Sequence, residues 1–176
     1  KTESELTDKY KLKNTSGWNV SDSKSDILNN SGSFYKITYR PFDTRYIYIT
    51  GHSGFIGRPR YSTMKHFLDK ENLGIITVRQ QSTFNFQHIL ITKDIMESGT
   101  ISLQTKEWGY IFPLYLYNDS SQTSIDGTTE RTPNLNMDIV NKIAKDLGLY
   151  FSPERPDYSL QTEETNQFYP IDILDY

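Results

Sequence analysis

Ser33-Phe34-Tyr35-Lys36-Ile37-Thr38-Tyr39, then the break Arg40-Pro41-Phe42-Asp43-Thr44, then Arg45-Tyr46-Ile47-Tyr48-Ile49-Thr50, is the stretch on which the fold turns. Aromatic and β-branched side chains fill both arms, and such side chains fit a pleated, half-covered surface. The break falls where a turn belongs. Arg40, Asp43 and Arg45 read as an ion pair that fixes the resulting hairpin, in preference to contacts with an outside partner.

Punctuation by turn residues continues in both directions. Residues 51–60 hold three Gly and one Pro and form a loop. Residues 61–68 give a short helix with Met64, Phe67 and Leu68 on one side. Strands are expected at 73–78, 87–92 and 100–103. A further strand at 108–117 is interrupted by Pro113, which indicates an edge or a bulge. Residues 118–132 are polar and turn-rich, a loop. Residues 136–147 are the clearest helix. Asn134 or Asn136 caps it, Met137, Ile139, Val140, Ile143 and Leu147 form a stripe for packing, and Gly148 falls at the C-terminal left-handed position. Residues 1–32 are polar, with Trp18 and the pair Ile27 and Leu28 as apolar anchors, and suggest a lead-in arm or linker. The class is α+β, a mostly antiparallel sheet with a few short flanking helices.

The 176 residues fit one domain. Only 35% are hydrophobic, yet 13 Tyr and 9 Phe are present, so the core is expected to be built from rings with tyrosine hydroxyls wet or bonded. The absence of cysteine excludes disulfides, thiolate metal sites and a Cys nucleophile, and suits a reducing cytoplasm. The apolar runs are too short for a membrane helix, and no signal peptide is visible. The chain begins at Lys1, and residues 171–176 read as the first turn of a helix. Both ends are therefore expected to be cut points in a longer polypeptide. The net charge of −3 is unevenly spread. Residues 36–106 carry ten Lys/Arg against five Asp/Glu, and residues 107–176 carry four against twelve. A basic middle with an acidic remainder fits a polyanionic partner, or an ordinary solvated surface.

Catalytic motifs do not survive inspection. Gly51-His52-Ser53-Gly54-Phe55 lacks the final Gly that a nucleophile elbow needs for its turn. His52, His66 and His88 have no ligand partner at helical spacing. Asp157, Glu163 and Glu164 lack the following Lys of a metal-dependent nuclease. No cofactor loop and no Asn/Asp-Pro-Pro-aromatic segment for a flipped base occurs. No catalytic residue and no metal ligand is expected within this chain.

Five blocks in order carry a family resemblance: residues 39–48, 54–60, 72–80, 109–117 and 131–135, followed by Asp172-Ile173-Leu174-Asp175-Tyr176. The set resembles the C-terminal specificity domain of Type ISP and related Type IIG restriction-modification enzymes, from about Tyr10 onward. The resemblance implies a parent polypeptide that joins a nuclease and an adenine-N6 methyltransferase to this domain. S-adenosylmethionine, and Mg2+ for cleavage, would serve the parent, and no cofactor is implied for this chain. Residues 1–32 would lead in from the methyltransferase domain. Residues 33–176 would be a target-recognition domain, truncated at its C-terminus, bound to double-stranded DNA in the bacterial cytoplasm and not to a membrane.

The residues themselves agree. Arg58, Arg60 and Lys65 cluster in and after a Gly-rich loop, as phosphate contacts or as a solvated loop. Arg79, Gln80, Gln81 and Ser82 end a strand and open a polar loop, where Arg pairs with guanine and Gln with adenine. The alternative is a carbohydrate-binding or surface-adhesion module. It requires Tyr46, Tyr48, Tyr110 and Tyr115 exposed in a row.

Overall fold

The computed structural model describes residues 2–15, 17–51, 55–82, 85, 87–102, 107–118, 131–155 and 166–176. The opening segment, expected as an arm or linker, contains two helices. In α1 (Glu3–Tyr10) the Thr2 hydroxyl accepts from Glu5 N while the Glu5 carboxylate accepts from Thr2 N, a reciprocal cap. In α2 (Val20–Leu28) the Asn19 side chain accepts from Asp22 N. Trp18 anchors the segment as expected, its indole N–H donating to Phe55 O at 2.7 Å. Ile27 and Leu28 do not. Both are exposed, and Val20, Ser23 and Asp26 form the buried side of α2.

The hairpin is present as β1 (Ser33–Arg40) and β2 (Asp43–Ile49), antiparallel from Ser33↔Ile49 to Arg40↔Asp43, with an irregularity between Thr38 and Arg40. The short helix is α3 (Tyr61–Met64), continued by turns to Asp69. Next come β3 (Gly74–Val78), β4 (Leu90–Thr92) and β5 (Ile95–Met96). The strand expected at 100–103 is not formed over its described part. Thr100 is fully buried in a turn, its hydroxyl donating to Thr38 O at 2.9 Å. The place beside β1 goes to β5, which pairs parallel to it through Ile37↔Ile95 and Thr38↔Met96. That gives the order β2-β1-β5.

A second sheet has the order β4-β3-β6, with β6 spanning Gly109–Pro113. All its pairings are antiparallel. β7 (Tyr115–Tyr117) follows after one residue and pairs with β8 (Arg131–Pro133). Pro113 occupies a position of the ladder where no N–H is needed toward β3, and Leu114 N still donates to Leu73 O at 2.7 Å just beyond it. α4 (Met137–Leu147) has the expected caps: the Asn136 side chain accepts from Asp138 N and Ile139 N, and Gly148 takes φ 67°. The chain closes with β9 (Tyr150–Phe151) and β10 (Gln167–Phe168), a parallel pair, and α5 (Pro170–Asp175). The architecture is α+β with mainly antiparallel pairing, as expected.

The core has two parts. Ile37, Ile49, Phe67 and Ile95 join the β1 sheet to the turns after α3. Gly74 lets this happen, since a Cβ there would lie 2.7 Å from Phe67 Cζ and 2.9 Å from Ile111 Cγ1. Leu114, Tyr115 and Tyr117 form the other part, with Leu73, Ile171 and Leu174 against it. Two of the buried rings bond their hydroxyls: Tyr48 accepts from Gly32 N at 2.8 Å, and Tyr117 donates to Glu71 O.

Asn72, 5% exposed, links the two parts. Its amide NH2 donates to His66 O and Tyr115 O, both at 2.8 Å. Its oxygen accepts from Tyr115 N at 3.1 Å and Leu73 N at 2.9 Å. Asn72→Ala strips four bonds from buried backbone groups and should destabilise the fold by about 3 kcal/mol. A shift in urea midpoint with unchanged slope measures this, and a loss under 1 kcal/mol would contradict the role given to Asn72.

Candidate nucleic-acid interface

The seven side chains named from sequence fall in two places. The first is the loop before α3 and the turn after it. Arg58 and Arg60 are exposed, and Lys65 is half-buried with a partner inside the chain. Arg58 holds φ 55°, a left-handed value for a residue with a Cβ. The loop is backed by the opening segment. A Cβ on Gly17 would lie 3.4 Å from Arg58 Cγ, and Trp18 bonds to Phe55 O. The Arg60 side chain makes no cap bond to α3, while its carbonyl accepts from Thr63 N and Met64 N.

The second place is the C-terminal end of β3. Arg79, Gln80, Gln81 and Ser82 are all exposed there. The Arg79 guanidinium lies 5.8 Å from the centroid of Tyr110, a ring on the open face of the β4-β3-β6 sheet. Ile91 and Phe112, paired across Ile75, continue that exposed face.

The loop is held from beneath. Ser82 N donates to Glu107 Oε1, and Glu107 is 7% exposed. Glu107 Oε2 lies 3.4 Å from Nε2 of His88, itself buried. Gln87 N donates to His88 Nδ1 at 3.3 Å, which leaves Nε2 as the ring nitrogen toward the carboxylate. A buried carboxylate is tolerable only with such partners. Sequence reasoning passed over Glu107 and found no ligand partner for His88. Their spacing carries no signal. The ladder brings them together, because Val78 pairs with Gly109 and so carries the start of the loop to the lead-in of β6.

A separate cleft is lined by Lys70, Lys93, Arg131 and Arg155 together with Asp69, Glu71 and Asp94. It contains none of the seven residues. Arg131 is committed internally. It forms a two-point bond to Glu154 at 2.7 Å, donates to Glu71 O at 2.9 Å and stacks 3.9 Å from the Tyr115 centroid. The Glu154 bond raises its pKa above the usual arginine value, against the effect of burial.

His52, Ser53 and Gly54 of the rejected elbow lie outside the described residues, as do Leu103, Asp157, Glu163, Glu164 and most of the loop at 118–132. Among the described residues no group of three or more His, Cys, Asp or Glu is placed to hold a metal ion, and no helix is long and apolar enough to cross a membrane.

Comparison with curated proteins gives no match. Among solved structures the chain resembles one described as an ATP-dependent Type ISP restriction-modification enzyme, LlaBIII, bound to DNA. Identity is 16% and the TM-score 0.50, over 79% of this chain and 9% of that one. At that identity the likeness concerns the fold. The family model for the Type ISP C-terminal specificity domain matches residues 1–176, the whole length. The chain therefore belongs to the Type ISP C-terminal specificity domain family.

Proposed function

We propose that this chain reads sequence in duplex DNA for a restriction-modification enzyme that methylates adenine at N6 and can cleave DNA. Both reactions are assigned to other domains of the same polypeptide, and residues 1–32 connect to the methyltransferase among them. S-adenosylmethionine would serve methylation and Mg2+ cleavage, at sites outside this chain. The setting is the bacterial cytoplasm.

One observation carries the reading: Arg79, Gln80, Gln81 and Ser82 project from the end of a paired strand, with their loop tied to a buried carboxylate. Side chains that read base edges need a fixed origin, since each bidentate contact depends on its aim. The specificity-domain family supports the reading, as does the basic balance of residues 36–106. A carbohydrate platform fits poorly. Of the four tyrosines it requires, Tyr48 and Tyr115 are buried.

Arg58→Ala and Arg60→Ala should weaken binding to every duplex alike, and each should lower the slope of log affinity against log salt by about 1. Arg79→Ala and Gln80→Ala should relax preference at particular base pairs, by about 1–3 kcal/mol each. Competition titrations between the preferred and random duplexes at several salt concentrations separate these effects. Salt-independent binding, or an unchanged preference in both loop variants, would refute the proposal.

Glu107→Gln keeps the size of the side chain but removes its charge. It should lower the ratio of specific to random-duplex affinity about tenfold while the salt slope stays put. A variant that folds normally and retains the full ratio would show that Glu107 does not position the loop.

A further inference from the structure

The tip of the β1-β2 hairpin is built in a way that folding does not explain. Arg40 pairs with Asp43, so Pro41 and Phe42 are the whole connection. Two-residue connections usually place Gly or Asn where φ must be positive. Pro41 fixes its own φ near −65° and leaves the positive value to the next residue. That residue is Phe42, at φ 62°. A side chain with a Cβ in this region costs about 1 kcal/mol relative to glycine. Burial returns nothing, because Phe42 is 104% exposed.

Around the tip the hairpin is braced. The Arg45 guanidinium bonds both Asp43 oxygens at 2.8–3.2 Å. Arg40 reaches Glu97 at 2.6 Å. The guanidinium carbons of Arg40 and Arg45 lie 3.9 and 3.8 Å from the Tyr39 ring centroid. Two planar groups fit at that distance only one on each face. The strained ring is thus presented on a stiff support. Its neighbours along the chain are Pro41, which is exposed, and Asp43, which is held by Arg45. Lys36, Arg40 and Arg45 outnumber Asp43 and Glu97, within the basic part of the chain.

We propose that Phe42 is a wedge that enters duplex DNA between two base pairs. Apolar side chains used this way unstack one base step and bend the duplex, at a cost of about a few kcal/mol offset by wider contact. A fully exposed ring on a stiff hairpin tip, in the part of the chain with a basic balance, fits a base stack better than it fits an apolar protein pocket. The inference rests on the DNA-reading proposal and adds a contact to it.

The test uses the natural full-length protein and a duplex enriched by it from a random-sequence pool, with 2-aminopurine placed at each position in turn. The unaltered protein should raise fluorescence at one step. Phe42→Asn tolerates positive φ and should be at least as stable to heat. It should bind about tenfold more weakly and lose the fluorescence rise. Phe42→Leu keeps an apolar wedge and should retain most of both. If Phe42→Asn binds as tightly with the same rise, or if the unaltered protein unstacks no step while binding specifically, the wedge is wrong and the DNA-reading proposal stands. If Phe42→Asn instead loosens packing against the rest of the polypeptide, seen as faster proteolysis with an unchanged fluorescence profile, the tip docks on protein and the wedge is wrong. If no duplex is enriched, both proposals fail.

Discussion

Two backbone groups of Tyr115 decide whether this chain can hold two sheets together. Up to Pro113 the strand pairs with β3, and from Tyr115 it pairs with β8. A strand that changes partner leaves the side facing its old neighbour without a ladder, and buried backbone groups tolerate that poorly. An asparagine side chain carries the same donor and acceptor as a peptide group. Asn72 therefore stands in for the missing strand, and His66 extends the repair by accepting from Tyr117 N at 2.9 Å. Aspartate has no donor for the carbonyls and leucine has neither group. The two parts of the core meet across this repair.

What could be read from the sequence was what local chemistry determines. The hairpin, β3 and α4 with both its caps follow from propensity, turn residues and cap residues, none of which needs a distant partner. The misplaced strand at 100–103 shows the opposite case. Residues 95–96 and 100–103 are both short and apolar enough to pair. Residues 95–96 take the place, and Glu97 N and the Thr100 hydroxyl then both bond Thr38 O, which leaves the turn at 97–100 on β1 in place of a second strand. The stripe on α4 was expected to pack, yet of its residues Val140 is buried while Met137, Ile139 and Leu147 are exposed. Periodicity reports that a face is apolar, not what covers it. For the candidate site, the exposed loop residues were visible in the sequence as types. Glu107 beneath them was not, because strand register created its position.

Counting charges could not separate working cations from committed ones. Arg40, Arg45 and Arg131 are each stacked on a tyrosine and bonded to a carboxylate. The Arg45 bond also lowers the pKa of Asp43. That pairing is complete above the ordinary carboxylate range and is lost as pH falls through the lowered value, so it is intact at neutral pH. Arg58, Arg60 and Arg79 are exposed by contrast. The basic middle of the sequence thus divides into cations that shape the scaffold and cations that face outward.

Backbone strain divides in the same way. Lys11 and Asn30 take positive φ just after helices, and Asp69 does so in the turn that ends the segment after α3, all positions where a chain reverses. Arg58 and Phe42 take it in exposed connections where glycine or asparagine would serve the backbone better. A fold selected for stability alone has no reason to keep a long cation at one such point and a bare ring at another. Both strained side chains project outward from connections that other contacts hold in place. In the proposed DNA-reading role, that strain would be kept for the sake of what the two side chains reach.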